Sequence, residues 1–227
     1  MQYEFKIEGR NQTREFLNLA IYIVSFFVTW SLYVFFVQKY IGQNHLLLFS
    51  VLKIGFVKIL IWTMPVLLYL KYHDKVNPLF YLKLQGNIST GLMCVIIVSC
   101  FYTLIGLVQQ YITLKHIQFH VISNIDSWIN VIILAGVTEE IIFRGFFLQK
   151  LGNVFSFWKA NYITAFLFLL IHFPGWIYHG EFTFMNINIL GIFIFGLISG
   201  YVFKKSNSLG ACMLIHAINN FISLSFQ

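Results

Sequence analysis

Seven apolar runs of spanning or near-spanning length follow one another along this chain, at about 16–37, 54–70, 88–112, 127–148, 161–177, 187–203 and 209–226. A helix needs roughly 20 apolar residues to cross the hydrocarbon core, and backbone placed there must satisfy its own hydrogen bonds. The second, fifth and sixth runs are short. Composition agrees, with 59% of the 227 residues hydrophobic and 10% charged, where soluble domains carry roughly 25% charged residues. The expectation is an all-α, polytopic integral membrane helix bundle of about seven transmembrane helices. No internal repeat, linker or low-complexity tract divides it.

The net charge of +7 would suggest nucleic acid in a soluble protein. Here the basic residues gather at the ends of apolar runs, so they report topology and no nucleic-acid partner is expected. With the N-terminus cytoplasmic, inside segments hold Lys6, Arg10 and Arg14, then Lys71, Lys75 and Lys83, then Lys150 and Lys159, then Lys204 and Lys205. Outside segments hold Lys39 and Lys115, with Lys53 and Lys58 at the outer mouth of the second span. Lys58 is the awkward residue, and snorkelling to the outer interface accounts for it. The first run lacks a small-residue cleavage site after it and reads as a retained anchor. Cys94, Cys100 and Cys212 have no metal-like spacing and read as packing residues.

The fourth run carries Glu139, Glu140 and Arg144 inside otherwise apolar sequence. Each charge near a bilayer centre costs about 2.5–3.5 kcal/mol on insertion scales, and such residues face a protein interior where they have a function. Neighbours on a helix lie about 100° apart, so the two carboxylates point in different directions. Glu140 precedes Arg144 by four residues, the favourable order for an ion pair. Glu139 has Phe143 at that spacing and no cation. Glu140–Arg144 is therefore expected to be a structural pair, with Glu139 left as the acid or base.

Two later runs add polar groups. The fifth reads AFLFLLIHFPGW, with His172 on an apolar face, Phe168 one turn earlier, and Pro174 placed to end or kink the helix. The seventh reads SLGACMLIHAINNFISLSF, in which His216 and Asn220 share a face and Asn219 points elsewhere. A His and an Asn on a membrane helix also serve as interhelical hydrogen-bond partners. Together the three runs supply a carboxylate, two imidazoles and an amide, a set able to activate water and hold an oxyanion. His45, His73, His116, His120 and His179 fall in connections or at run ends and take no role.

The order EEIIFR, FLLIH, HAINN resembles the CPBP family, the type II CAAX prenyl protease and bacteriocin-processing intramembrane proteases. The family pattern is Glu-Glu-x-x-x-Arg, Phe-x-x-x-His and His-x-x-x-Asn on successive helices. The resemblance implies a cytoplasmic N-terminal segment at 1–15, variable N-terminal transmembrane helices at 16–123, and a CPBP-like core at 124–227. It further implies an intramembrane endopeptidase in which Glu139 and His172 activate water while His216 and Asn220 stabilise the oxyanion. Glu140 and Arg144 take supporting roles. No cofactor is expected, and zinc held by two His and one Glu is the disfavoured variant, since HExxH is missing. The implied substrate is a membrane-bound or lipidated peptide met within membrane lipid at the cell membrane. Bacteriocin self-immunity and peptide maturation are the implied settings. A non-catalytic membrane immunity or binding protein is the competing class.

Overall fold

The computed structural model describes residues 12–41, 47–84, 86–182 and 187–226. Lys6, Arg10 and His45 lie outside the described residues, as does most of the expected 1–15 segment. The described residues form helices and turns, with no strand among them. In chain order the helices are α1 (12–41), α2 (47–73), α3 (Pro78–Tyr81), α4 (Ile88–Leu114), α5 (127–152), α6 (Phe157–Leu170), α7 (Phe173–His179), α8 (Ile187–Ser206) and α9 (Leu209–Ser225).

Each of the seven apolar runs is helical along most of its length, the fifth being broken at Ile171 and His172. Five stretches are long and apolar enough to cross a membrane: Thr13–Val37, Lys53–His73, Ile88–Leu114, Phe157–His179 and Ile189–Ser206. The other two differ for separate reasons. Helix α5 holds Glu139, Glu140 and Arg144 at its centre, and α9 has 17 residues. The chain is thus an all-helical, multi-pass membrane protein by composition and helix length.

Burial explains how α5 holds three charges at its centre. From Thr138 to Leu148 every residue is buried, whereas α4 leaves Ile96, Ile97, Phe101 and Leu104 exposed as an apolar outer surface. Helix α5 is enclosed by α2, α6, α8 and α9. Around it Phe143 and Phe147 meet Phe26, Trp62 and Phe168, and Phe146 meets Tyr22, in edge-to-face contacts with ring centroids 5.0–6.5 Å apart. Such pairs add about 0.5–1.5 kcal/mol each beyond burial.

Close backbone approach brings the enclosing helices in. Gly196 and Gly200 of α8 form a Gly-x-x-x-Gly stripe against α6, an arrangement that lets membrane helices meet at short range. A Cβ at Gly196 would stand 2.9 Å from the Ala165 Cβ and 3.0 Å from its Cα. Asn161 closes the contact, donating to the Leu197 carbonyl at 3.0 Å. Gly136 of α5 plays the same part against α9, since a Cβ there would lie 3.1 Å from the Met213 carbonyl oxygen. On the side where α8 turns into α9, Gly86 lies against Asn207 and Ser208, and Leu209 N–H donates to the Lys83 carbonyl at 2.9 Å.

Overpacking a filled interface costs about 1–3 kcal/mol. Gly196→Val should lower the thermal unfolding midpoint of the detergent-solubilised protein by several degrees. Gly191→Ala, where nothing among the described residues stands within 4 Å of the added methyl, should not lower it, since alanine is the better helix former.

Candidate functional site

Helix α5 does not keep one pitch. Ser127–Leu134 and Ile141–Leu148 run in wide π-type turns, and the six α-helical residues Ala135–Glu140 lie between them. Wide turns of this kind concentrate at functional positions. The two glutamates stand at the junction and leave the helix in different directions, each finding different partners.

Glu140 is sealed. Its Oε1 accepts from Arg144 Nη1 at 2.7 Å and from His216 Nδ1 at 2.9 Å, and its Oε2 accepts from Ser199 Oγ at 3.0 Å. The Glu140 and Arg144 side chains are 0% exposed. The ion pair expected from i,i+4 spacing is present and is tied to two further helices. Arg144 Nη2 donates to the Gly196 carbonyl at 3.1 Å, and its guanidinium lies over the Phe168 ring at 4.5 Å. A buried ion pair is favourable only when its remaining donors and acceptors are satisfied, and here α8 and α9 satisfy both Glu140 oxygens and Arg144 Nη2, while Arg144 Nε is left without a partner among the described residues.

Glu139 is not the unpaired carboxylate its local sequence suggests. Lys58 Nζ donates to its Oε1 at 3.1 Å. Lys58 therefore does not snorkel to an interface; it turns inward from α2, with its side chain 14% exposed and that of Glu139 9% exposed. The reason is energetic: a buried carboxylate without a cation is costly, and α2 packs directly on α5. Gly55, three residues before Lys58, makes room, because a Cβ there would lie 2.7 Å from Leu134 Cδ1.

The imidazoles follow from helix ends and pairings. Pro174 has no N–H, so α6 stops at Leu170 and α7 begins at Phe173, as the sequence suggests. At the break His172 N–H bonds to the Leu169 carbonyl at 3.2 Å instead of the Phe168 carbonyl. The Phe168 carbonyl accepts from His172 Nδ1 at 2.8 Å. That bond leaves Nε2 as the atom that acts, by the tautomer logic of second-shell partners. On α9, His216 uses Nδ1 on Glu140, and its Nε2 stands 3.9 Å from Glu139 Oε2. The Phe168 ring lies beside both imidazoles, with centroids 5.2 Å and 5.8 Å away.

Glu139, His216 and Lys58 thus meet from α5, α9 and α2, and His172, at the break between α6 and α7, shares the Phe168 ring with His216. Asn220 is placed differently. It is on the His216 face, one turn on, and its amide Nδ2 donates to the Val131 carbonyl at 2.7 Å. The three cysteines carry no disulfide, and Cys212 packs beneath the Ser199 carbonyl at 3.5 Å. Lys58 and Ser199 are the site neighbours that sequence reading passed over. Lys58 had one signal, as a cation inside an apolar run; Ser199 lay within the Gly-x-x-x-Gly stripe that marks a close helix contact.

Residues 120–222, somewhat under half of the chain, match the family model described as Type II CAAX prenyl endopeptidase Rce1-like. The match covers Glu139, Glu140, Arg144, His172, His216 and Asn220 and leaves Lys58 outside. No curated protein and no solved structure matches the chain.

Removing one member of a buried ion pair costs about 3–5 kcal/mol, because the survivor is left uncompensated. Arg144→Met should therefore depress the unfolding midpoint more than the double variant Arg144→Met/Glu140→Gln. Thermal unfolding in detergent measures both, and a double variant less stable than the single would contradict the pairing.

Proposed function

With residues 120–222 carrying the Rce1-like core of the type II CAAX prenyl endopeptidases, we propose that the chain is an intramembrane endopeptidase acting on a membrane-bound or lipidated peptide. The observation that carries this reading is the buried Glu139 carboxylate with His216 Nε2 3.9 Å from its Oε2, and with the Phe168 ring packed beside both the His216 and the His172 imidazoles. Glu139 takes a proton from water while the water oxygen bonds to the scissile carbonyl carbon, and the carbonyl electrons move onto its oxygen. His172 presents Nε2 to the same water, its Nδ1–H being fixed on the Phe168 carbonyl. Collapse of the tetrahedral intermediate breaks the C–N bond, and the proton held by Glu139 passes to the leaving amine.

His216 and Asn220 take the oxyanion side. Glu140 accepts the His216 Nδ1–H, which leaves Nε2 facing the site, where it donates to the oxyanion once the ring has gained a proton. Asn220 retains one amide N–H beyond its bond to Val131. Glu140 and Arg144 hold these parts in place.

Zinc chemistry fits the residues less well. It would require donor atoms of Glu139, His172 and His216 to converge on one ion, yet they do not lie within 4.8 Å of one another. Among the described residues that spacing is met by Glu15, His73 and Asp74. Lys58 also occupies Glu139 Oε1. No step of the proposed reaction passes through a metal. In the cell membrane the chain would run as about seven spans with a cytoplasmic N-terminus. Substrate would arrive through the lipid, in bacteriocin self-immunity or peptide maturation.

Comparative peptidomics of membranes carrying wild type or Glu139→Gln at matched expression tests the assignment. A general base contributes about 10²–10⁴-fold, so peptides released by wild type should fall at least a hundredfold with Glu139→Gln and with His172→Ala. Equal release by the Glu139→Gln protein would refute the role and favour a binding protein. Release should also be unchanged, within about twofold, by 1,10-phenanthroline; loss that zinc restores would return the metal variant, since such ions supply Lewis-acid catalysis.

A further inference from the structure

We propose that Lys58, which lies outside the family-matched residues, is a catalytic residue of this site. Its ammonium neutralises Glu139 at rest and turns to the oxyanion once Glu139 has taken the proton of the attacking water. The inference rests on the proteolytic reading above and adds to it the source of positive charge.

Few donors of the cluster remain free to meet an oxyanion. Arg144 is fully enclosed, with one nitrogen on Glu140 and another on the Gly196 carbonyl. His172 donates Nδ1–H to the Phe168 carbonyl, and His216 donates Nδ1–H to Glu140. Each ring offers a second N–H only after gaining a proton. Lys58 has three N–H groups, and one of them meets Glu139. It is the standing cation beside the base with donors in reserve. The exposures of the two ion pairs separate their roles. Glu140–Arg144 is 0% exposed on both sides, while Lys58–Glu139 keeps 14% and 9%. The first pair cannot meet a substrate without unfolding, and the second can.

At rest Glu139 is negative and Lys58 positive. When water attacks, Glu139 becomes neutral and the former carbonyl oxygen becomes negative, so Lys58 exchanges one anionic partner for another. The site never holds an uncompensated charge, which in an apolar interior would be costly. The ammonium is also aimed. Trp62, one turn along α2, lies under it with Nζ 5.3 Å from the ring centroid. Trp62 itself is fixed edge-on by Phe26 and Trp30 at 5.1 Å and 4.9 Å. Gly55 brings that stretch of α2 onto α5.

The test is the same membrane peptidomics with wild type, Glu139→Gln, Lys58→Gln, Lys58→Met and Lys58→Arg, each checked by thermal unfolding. Removing an oxyanion donor lowers turnover about 10²–10³-fold. Whichever neutral Lys58 variant unfolds within a few degrees of wild type should release at least a hundredfold less peptide, while Lys58→Arg retains a tenth or more of wild-type release. A counter-ion that only holds helices together would instead give release in proportion to stability. A stable neutral variant with near wild-type release overturns the proposal and leaves the proteolytic reading intact. Wild-type release that Glu139→Gln does not diminish overturns both. Should neither neutral variant fold, Lys58→Arg decides: a folded, silent Arg variant counts against the proposal.

Discussion

The structure depends on neutralising charge where water is absent. Two carboxylates, Glu139 and Glu140, sit at the centre of α5, in a stretch buried from Thr138 to Leu148, and each has a cation of its own, Lys58 and Arg144. An isolated buried charge costs several kcal/mol, whereas a paired one with its remaining lone pairs satisfied is tolerated. That requirement ties α5 to α2 through Lys58, to α8 through Ser199 and the Gly196 carbonyl, and to α9 through His216. The helices are thereby fixed in position by the same residues that form the candidate site.

Backbone shape makes those contacts available. Gly55, Gly136 and Gly196 stand where a side chain would keep two helices apart, and wide turns flank the carboxylates on α5. The break before Pro174 frees the Phe168 carbonyl to hold His172. One phenylalanine thus serves twice: its carbonyl sets an imidazole, and its ring covers the Arg144 guanidinium. A functional site built on rigid elements with a supporting shell is more precise than one on loops.

Much of this was legible in the sequence. Apolar runs marked every long helix, and the i,i+4 spacing of Glu140 and Arg144 marked their pair. Pro174 marked the end of α6. The local signals were sufficient because each concerned residues within a turn or two of one another. What failed to show was contact between distant segments. Lys58 and Glu139 are 81 residues apart, and helical periodicity carries no information on which helix packs beside which. For the same reason Lys58 read as an interfacial residue and Glu139 as unpaired. The partner of His216 was equally hidden, since a shared face with Asn220 says nothing of Glu140 across the helix interface.

The claim on which this account turns is that Lys58 and Glu139 are a coupled pair inside the bundle. A double-mutant cycle on unfolding stability, with Lys58→Met, Glu139→Gln and the combination, measures it directly. Paired groups couple by about 0.5–3 kcal/mol, and the double variant should be more stable than the sum of the single losses by an amount in that range. Losses that add to within about 0.3–0.5 kcal/mol would mean the two side chains do not meet, and the charge network described for this site would be wrong.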